Sequence, residues 1–314
     1  MSFAFVFPGQ GSQFVGMGQE LAQAFPAARE VFKAVDAALG QNLSELMWSG
    51  DAEELTLTTN TQPALMACSL AAMAALKVEF DVDVTEAAYV AGHSLGEYSA
   101  LAAAGALSIE QTAKLLRIRG NAMQSAVAVG DGAMAALLGA SVADAEAACA
   151  AGSAHGMVQI ANDNATGQIV LSGETAAVEA AAQAARDAGV KKAMMLNVSA
   201  PFHCGLMQPA ADAMAEALAD AEILTPHVPV VNNIQARPVT DPDVLRADLI
   251  AQVTGRVRWR ESVEWMALNG VETFAEPGCG KVLTVMLRRI VKGKAGVKLD
   301  TPDALEAFAA SLKA

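Results

Sequence analysis

Basic residues are scarce in this 314-residue chain: 21 Lys and Arg stand against 34 Asp and Glu, a formal net charge of -13. Nucleic acid and anionic membrane surfaces would repel such a chain on average, so neither is expected as a partner. Cysteine is equally thin. Cys68, Cys149, Cys204 and Cys279 lie too far apart for a metal knuckle and are too few for a disulfide scaffold, so they read as buried thiols in a reducing compartment. The most apolar run, Pro63 to Leu76, covers about fourteen residues, too few to span a bilayer and suited to a buried helix. The first residues lack the basic start and small-residue cleavage site of a signal peptide, which makes the cytoplasm the expected location. Histidine occurs at four positions only, which keeps the list of candidate bases short.

Hydrophobic residues make up 53% of the chain, enough for a large core in one big domain or in one domain with a smaller insert. Phe3 to Phe7 reads as a buried strand running into the tight loop Pro8-Gly9-Gln10-Gly11. Gly18 to Leu39 has helical spacing, Leu43 to Trp48 makes a short helix, and Thr61 is expected to cap a helix over Pro63 to Phe80. Ser108 caps a further helix, Ile109 to Val127, on which Arg117 and Arg119 point to different faces, one toward water.

From Gly130 to Val198 the order strand, helix, strand, strand, helix, strand suggests a ferredoxin-like unit, with Asn162 to Gly167 as its hairpin turn. The expected division is therefore a large α/β core over 1–129 and 199–314 and a small subdomain over 130–198. In the core, strands alternate with helices and end in Gly-rich turns, which describes a mostly parallel sheet with ligands at the carboxyl ends of its strands.

The chemistry centres on Tyr89 to Ser99, which sets Ser94 between Gly92 and Gly96 at the end of an apolar run. Two residues without Cβ let the chain reverse sharply from strand into helix and lift the hydroxyl toward a cleft. A serine hydroxyl is a poor nucleophile near neutrality and needs a base within hydrogen-bond reach. His93 adjoins the serine and should point away from it, while His155 and His227 sit in solvated loops; His203, on the loop after the small unit, is the best base. The oxyanion of acyl transfer needs N–H donors, for which Leu95 and the Gly9-Gln10-Gly11 loop are the candidates. An inward Arg119 would grip a substrate carboxylate with two prongs.

Phe-Val-Phe-Pro-Gly-Gln-Gly-Ser-Gln at the start, Gly-His-Ser-Leu-Gly-Glu-Tyr-Ser around Ser94, Arg119-Gly-Asn-Ala-Met123, Asn162-x-Asn164, Pro-Phe-His-Cys-x-x-Met over 201–207 and Glu276-Pro-Gly follow one another in the chain. Together they resemble the malonyl-CoA:acyl-carrier-protein transacylases of type II fatty acid synthesis, over nearly the whole length. The resemblance implies an α/β-hydrolase-like core with a ferredoxin-like insert, and a ping-pong transfer of malonyl from malonyl-CoA through Ser94 to the phosphopantetheine thiol of holo acyl carrier protein. It further implies His203 as base and then acid, Gln10 and Leu95 as the oxyanion hole, and Arg119 as the seat of the malonyl carboxylate. Gln252 would orient His203 through its carbonyl. Asn162 and Asn164 would line the CoA side, Met123 and Phe202 the acyl pocket, with Phe202 filling the space a branch methyl would need. No cofactor or metal is implied, and the expected form is a monomer. Two other classes fit parts of the pattern: an esterase or thioesterase, which should carry an acid between serine and histidine and a histidine near its end, and a carrier-binding module without catalysis. Arg288, Arg289, Lys292 and Lys294, or Lys191 and Lys192, are the basic groups that an acidic carrier protein could meet.

Overall fold

Two sheets organise the chain, whose computed structural model describes residues 2–198 and 200–313; the expected exit from the small unit at Ser199 lies outside the described residues. The first sheet contains β1 (Phe3–Phe7), β2 (Tyr89–Gly92), β7 (Val230–Val231), β8 (Pro238–Val239), β9 (Thr273–Pro277) and β10 (Ala295–Leu299). Its order is β10-β9-β1-β2-β7-β8, parallel throughout except for the final β7–β8 pair. The second sheet is antiparallel, built from β3 (Gly132–Leu138), β4 (Val158–Ala165), β5 (Gln168–Glu174) and β6 (Lys192–Met195) in the order β4-β5-β3-β6. Helices Val142–Gly152 and Thr175–Asp187 cover one face of it, which gives the ferredoxin-like arrangement expected from the element order.

Helix Thr58–Phe80 is 23 residues long and apolar enough by length and composition to cross a bilayer. Helices Pro26–Leu39, Ile109–Ser125 and Gly96–Ala103 pack around it, and its residues from Asn60 to Met73 are all buried, so its apolar surface is spent on the core. It begins three residues before Thr61, which does not cap it: the Thr61 hydroxyl donates instead to the Leu55 carbonyl at 2.6 Å. The stretch expected as one helix from Gly18 to Leu39 is broken at Phe25 into Gln19–Ala24 and Pro26–Leu39, because a proline at the first helical position starts a helix more easily than it continues one. Cys149 is half-exposed, whereas the other three thiols are buried.

The hairpin differs most from the sequence reading. Asn162 to Ala165 continue strand β4 instead of turning, and the pairing with β5 slips between Ile160 and Asn162 and again between Asp163 and Ala165. Such bulges re-aim side chains, and here they leave Asn162, Asp163 and Asn164 all buried. The strand is stitched to the core through Asp163 N–H to the Val257 carbonyl (3.0 Å), Val257 N–H to the Ala161 carbonyl (2.8 Å) and an Arg260–Asp163 ion pair at 2.8 Å. Turn composition misled because the polar residues serve this contact between β4 and the segment at Val257 to Arg260 in the core.

Candidate active site

Strands β1 and β2 run parallel with Phe7 opposite Gly92, so the loops leaving their carboxyl ends emerge side by side. Gly92 and Gly96 make the reversal after β2 possible by close approach. A Cβ on Gly92 would lie 1.9 Å from the Gly96 carbonyl carbon, and one on Gly96 would lie 2.3 Å from the Phe7 carbonyl oxygen. Gly92→Ala is therefore expected to cost about 3 kcal/mol or more, read as a lowered melting temperature, since backbone meets backbone and no side chain can yield. Between the glycines Ser94 adopts φ 54°, the left-handed region that a non-glycine residue occupies only when its surroundings force it there. Asn233, at the carboxyl end of β7, holds this turn: its Oδ1 accepts from the Ser94 N–H at 2.8 Å and its Nδ2 donates to the Gly92 carbonyl at 2.7 Å.

His203, also at positive φ (59°), brings its Nε2 to 2.7 Å from Ser94 Oγ. Its Nδ1 lies 2.9 Å from the Gln252 backbone carbonyl. A carbonyl only accepts, so the proton resides on Nδ1 and the Nε2 lone pair faces the serine hydroxyl. Burial, and then the Arg119 charge, push the imidazole pKa down to about 3. His203 is thus neutral, the form a base requires, far below the usual histidine range. The rate of acylation of Ser94 should show no fall on going from pH 8 to pH 5, measured by rapid mixing; a half-point near pH 6.5 would contradict this environment. The sign for folding is opposite in sense: between pH 6.5 and about 3 the unfolded chain binds this proton and the folded one does not, so the shift costs stability as pH falls.

Arg119 is 1% exposed and is aimed at the same hydroxyl, with Nη2 at 3.2 Å from Ser94 Oγ and 2.9 Å from Gln252 Oε1, and Nη1 at 2.7 Å from Gln62 Oε1. Gly120 seats it, since a Cβ there would come within 2.7 Å of the Thr59 backbone and hold the two helices apart. Among the described residues the guanidinium is hydrogen-bonded to no carboxylate, although the Glu97 charge acts on it; its Nε is unpartnered, and the Tyr98 ring lies 5.7 Å from its central carbon. A buried cation whose hydrogen bonds all go to neutral oxygens is prepared to receive an anion. Arg117, by contrast, does not face water freely; it is half-buried and donates to Gln41 and Asn60.

These groups face a cavity of about 290 Å³ lined by Gln10, His93, Ser94, Leu95, Arg119, Met123, Asn162, Asn164, Phe202 and His203. Gln252 supports it from behind. A larger open depression of about 730 Å³ between Gly105 and Leu224 contains none of them. Among the described residues neither the Gln10 nor the Leu95 backbone N–H donates a hydrogen bond, which leaves two donors free beside the serine. His93 points away from Ser94, its Nε2 lying 2.8 Å from Asn164 Oδ1, so the residue after Gly92 joins the elbow to the second sheet. The sequence reading missed Gln62, Glu97 and Asn233. Gln62 continues a chain of side chains in which Thr58 Oγ1 donates to Gln10 Oε1 and Gln62 Nε2 donates to Thr58 Oγ1, each at 3.0 Å.

Known proteins resemble this chain in sequence and in fold. The family model described as acyl transferase domain matches residues 4–301. The chain is 45% identical over 305 residues to the malonyl CoA-acyl carrier protein transacylase of Escherichia coli K12, covering 97% of this chain and 98% of that one. It superposes with a TM-score of 0.98 and 51% identity on the crystal structure of the acyl-carrier-protein-S-malonyltransferase from Bartonella henselae, over the full length of both chains. A type II polyketide acyl-carrier protein in complex with its malonyl-transacylase is similar at a TM-score of 0.95 and 40% identity, covering 99% of this chain and all of that one. The chain therefore belongs to the acyl transferase family, among its malonyl CoA-acyl carrier protein transacylases.

Proposed function

We propose that this chain moves a malonyl group from CoA to the phosphopantetheine thiol of acyl carrier protein in fatty acid synthesis, through an ester on Ser94, as a cytoplasmic monomer without a cofactor. The observation that carries this reading is that one hydroxyl is met at 2.7 Å by a neutral imidazole and at 3.2 Å by a buried guanidinium. As Ser94 Oγ attacks the thioester carbonyl, His203 Nε2 takes the hydroxyl proton. The oxyanion is held by the N–H groups of Gln10 and Leu95, each such donor contributing about 2.7 to 4 kcal/mol. The carbon–sulfur bond then breaks, and the proton on His203 passes to the departing CoA sulfur. In the second half the carrier thiol gives its proton to His203 and attacks the ester, and the proton returns to Ser94 Oγ as the ester opens.

Arg119 binds the free malonyl carboxylate, with Met123 and the bulk of Phe202 shaping the acyl pocket. Asn162 and Asn164 line the CoA side on the unit at 130–198, which serves as the second wall of the cleft. Helix Val282–Ile290 brings Val282, Leu283 and Met286 to the cavity and carries Arg288 and Arg289 on its exposed side, so it is the docking face for an acidic carrier. Lys294 is already paired with Glu272, and Lys191 and Lys192 are exposed at the edge of the second sheet.

The reading is tested by supplying malonyl-CoA and holo acyl carrier protein together and following both products. Transfer to the carrier in step with CoA release is the expected result; CoA release with free malonate and no acylated carrier would make the protein a hydrolase.

A further inference from the structure

Glu97 lies three residues past the nucleophile, is fully buried, and takes no part in the steps above. Its Oε2 accepts from the Asn233 backbone N–H at 2.8 Å and from Gln252 Nε2 at 3.0 Å, while its Oε1 has no partner. Both donors belong to residues that also hold the serine. Asn233 Oδ1 accepts from the Ser94 N–H at 2.8 Å, and Gln252 Nε2 donates to the Ser94 carbonyl at 3.1 Å.

A primary amide has a donor end and an acceptor end, and its neighbours decide which way it faces. Glu97 Oε2 and the Ser94 carbonyl both require the NH2 end of Gln252. Its Oε1 is thereby turned toward Arg119 Nη2 at 2.9 Å. Reversed, the amide would set an NH2 group against the Arg119 guanidinium, which would lose one of its three neutral oxygen acceptors.

We propose that Glu97 is a positioning residue for acyl selectivity: it fixes the side-chain amide of Gln252, and through it the place of Arg119 under the carboxylate of the acyl group. The proposal rests on the acyltransferase reading given above. Burial pushes the Glu97 carboxyl up to about 7, against the pull of the Asn233 and Gln252 hydrogen bonds and of the Arg119 charge, and of its two oxygens Oε2 is the one that accepts hydrogen bonds. The acid therefore acts through one acceptor oxygen. Glutamine can present the same oxygen to the same two donors; leucine cannot, and aspartate withdraws it by one methylene.

The test compares Glu97→Gln, Glu97→Asp and Glu97→Leu with the unsubstituted protein, measuring kcat and KM for transfer to holo carrier protein from malonyl-CoA and from acetyl-CoA. Glu97→Gln should keep the malonyl-to-acetyl ratio of kcat/KM within about threefold, while Glu97→Leu should lower it about tenfold or more, chiefly through the KM for malonyl-CoA. Glu97→Asp should fall between them, and it carries the test if Glu97→Leu does not fold. Equal proportional losses for both acyl groups, or an unchanged ratio in a folded Glu97→Asp, would overturn the proposal. Failure of the unsubstituted protein to transfer malonyl would strike instead at the acyltransferase reading.

Discussion

His203→Ala is expected to slow acylation of Ser94 by about a hundred- to ten-thousandfold at neutral pH, the contribution of a well-placed general base. The reason is geometric. Among the described residues His203 is the titratable group that touches Ser94 Oγ with a free lone pair, because the Gln252 carbonyl occupies its other nitrogen. No neighbouring histidine can take over: His93 Nε2 is engaged with Asn164, and His155 and His227 are exposed and outside the cavity. Arg119 Nη2 also reaches the hydroxyl, but a guanidinium holds its protons throughout the accessible pH range and cannot accept one. The measurement is the single-turnover rate of CoA release on rapid mixing with malonyl-CoA, alongside thermal unfolding to show that the variant is folded. An undiminished rate would mean that another group removes the proton.

Arg119→Ala should reduce malonyl transfer by about a hundredfold or more while leaving acetyl transfer equal or improved, since a buried charge–carboxylate contact is worth about 2 to 5 kcal/mol. The two acyl groups differ in a carboxylate only. With malonyl bound, the guanidinium gains a carboxylate in direct contact; with acetyl bound, it faces a methyl group and stays a desolvated charge without that contact. Arg119→Lys should fail in the same direction, because a single ammonium cannot reproduce the fork that spans Gln62, Gln252 and the substrate. A second signature separates this role from loss of structure. Arg119 is one of the causes that depress the His203 pKa, so in the alanine variant the acid limb of the pH profile for acetyl transfer should move upward from that of the unsubstituted protein. Equal losses for malonyl and acetyl would discard the carboxylate role.

Much of this site was legible because its chemistry is local in sequence. The elbow is announced by Gly92, Ser94 and Gly96 within five positions, and candidate donors at Leu95 and in the Gly9-Gln10-Gly11 loop follow from the ends of two apolar runs, with Gln10 singled out by the family resemblance. The alternation of strands and helices likewise marked the small sheet and the inner strands of the large one, since each period belongs to one contiguous segment, but not the edge strands β8 and β10. The supports behind the site were not legible, because their meaning is a contact between distant segments. Asn233 looks like a turn residue until β7 places it against Ser94, 139 positions away. Asn162 and Asn164 resemble a hairpin turn because bulging of β4, which composition does not signal, is what keeps them in the strand. Glu97 had a signal that could have been used: the one charged residue of a short helix of otherwise uncharged residues, one turn beyond the nucleophile, is costly unless something there needs it.

The most direct test of the central claim is intact-mass analysis with peptide mapping after brief exposure to malonyl-CoA, then again after addition of holo acyl carrier protein. One malonyl group should appear on the peptide bearing Ser94, be absent from Ser94→Ala, and leave when the carrier arrives, with the same mass gained by the carrier. Transfer to the carrier without any adduct on the protein, or an adduct that persists on another residue in Ser94→Ala, would contradict the account.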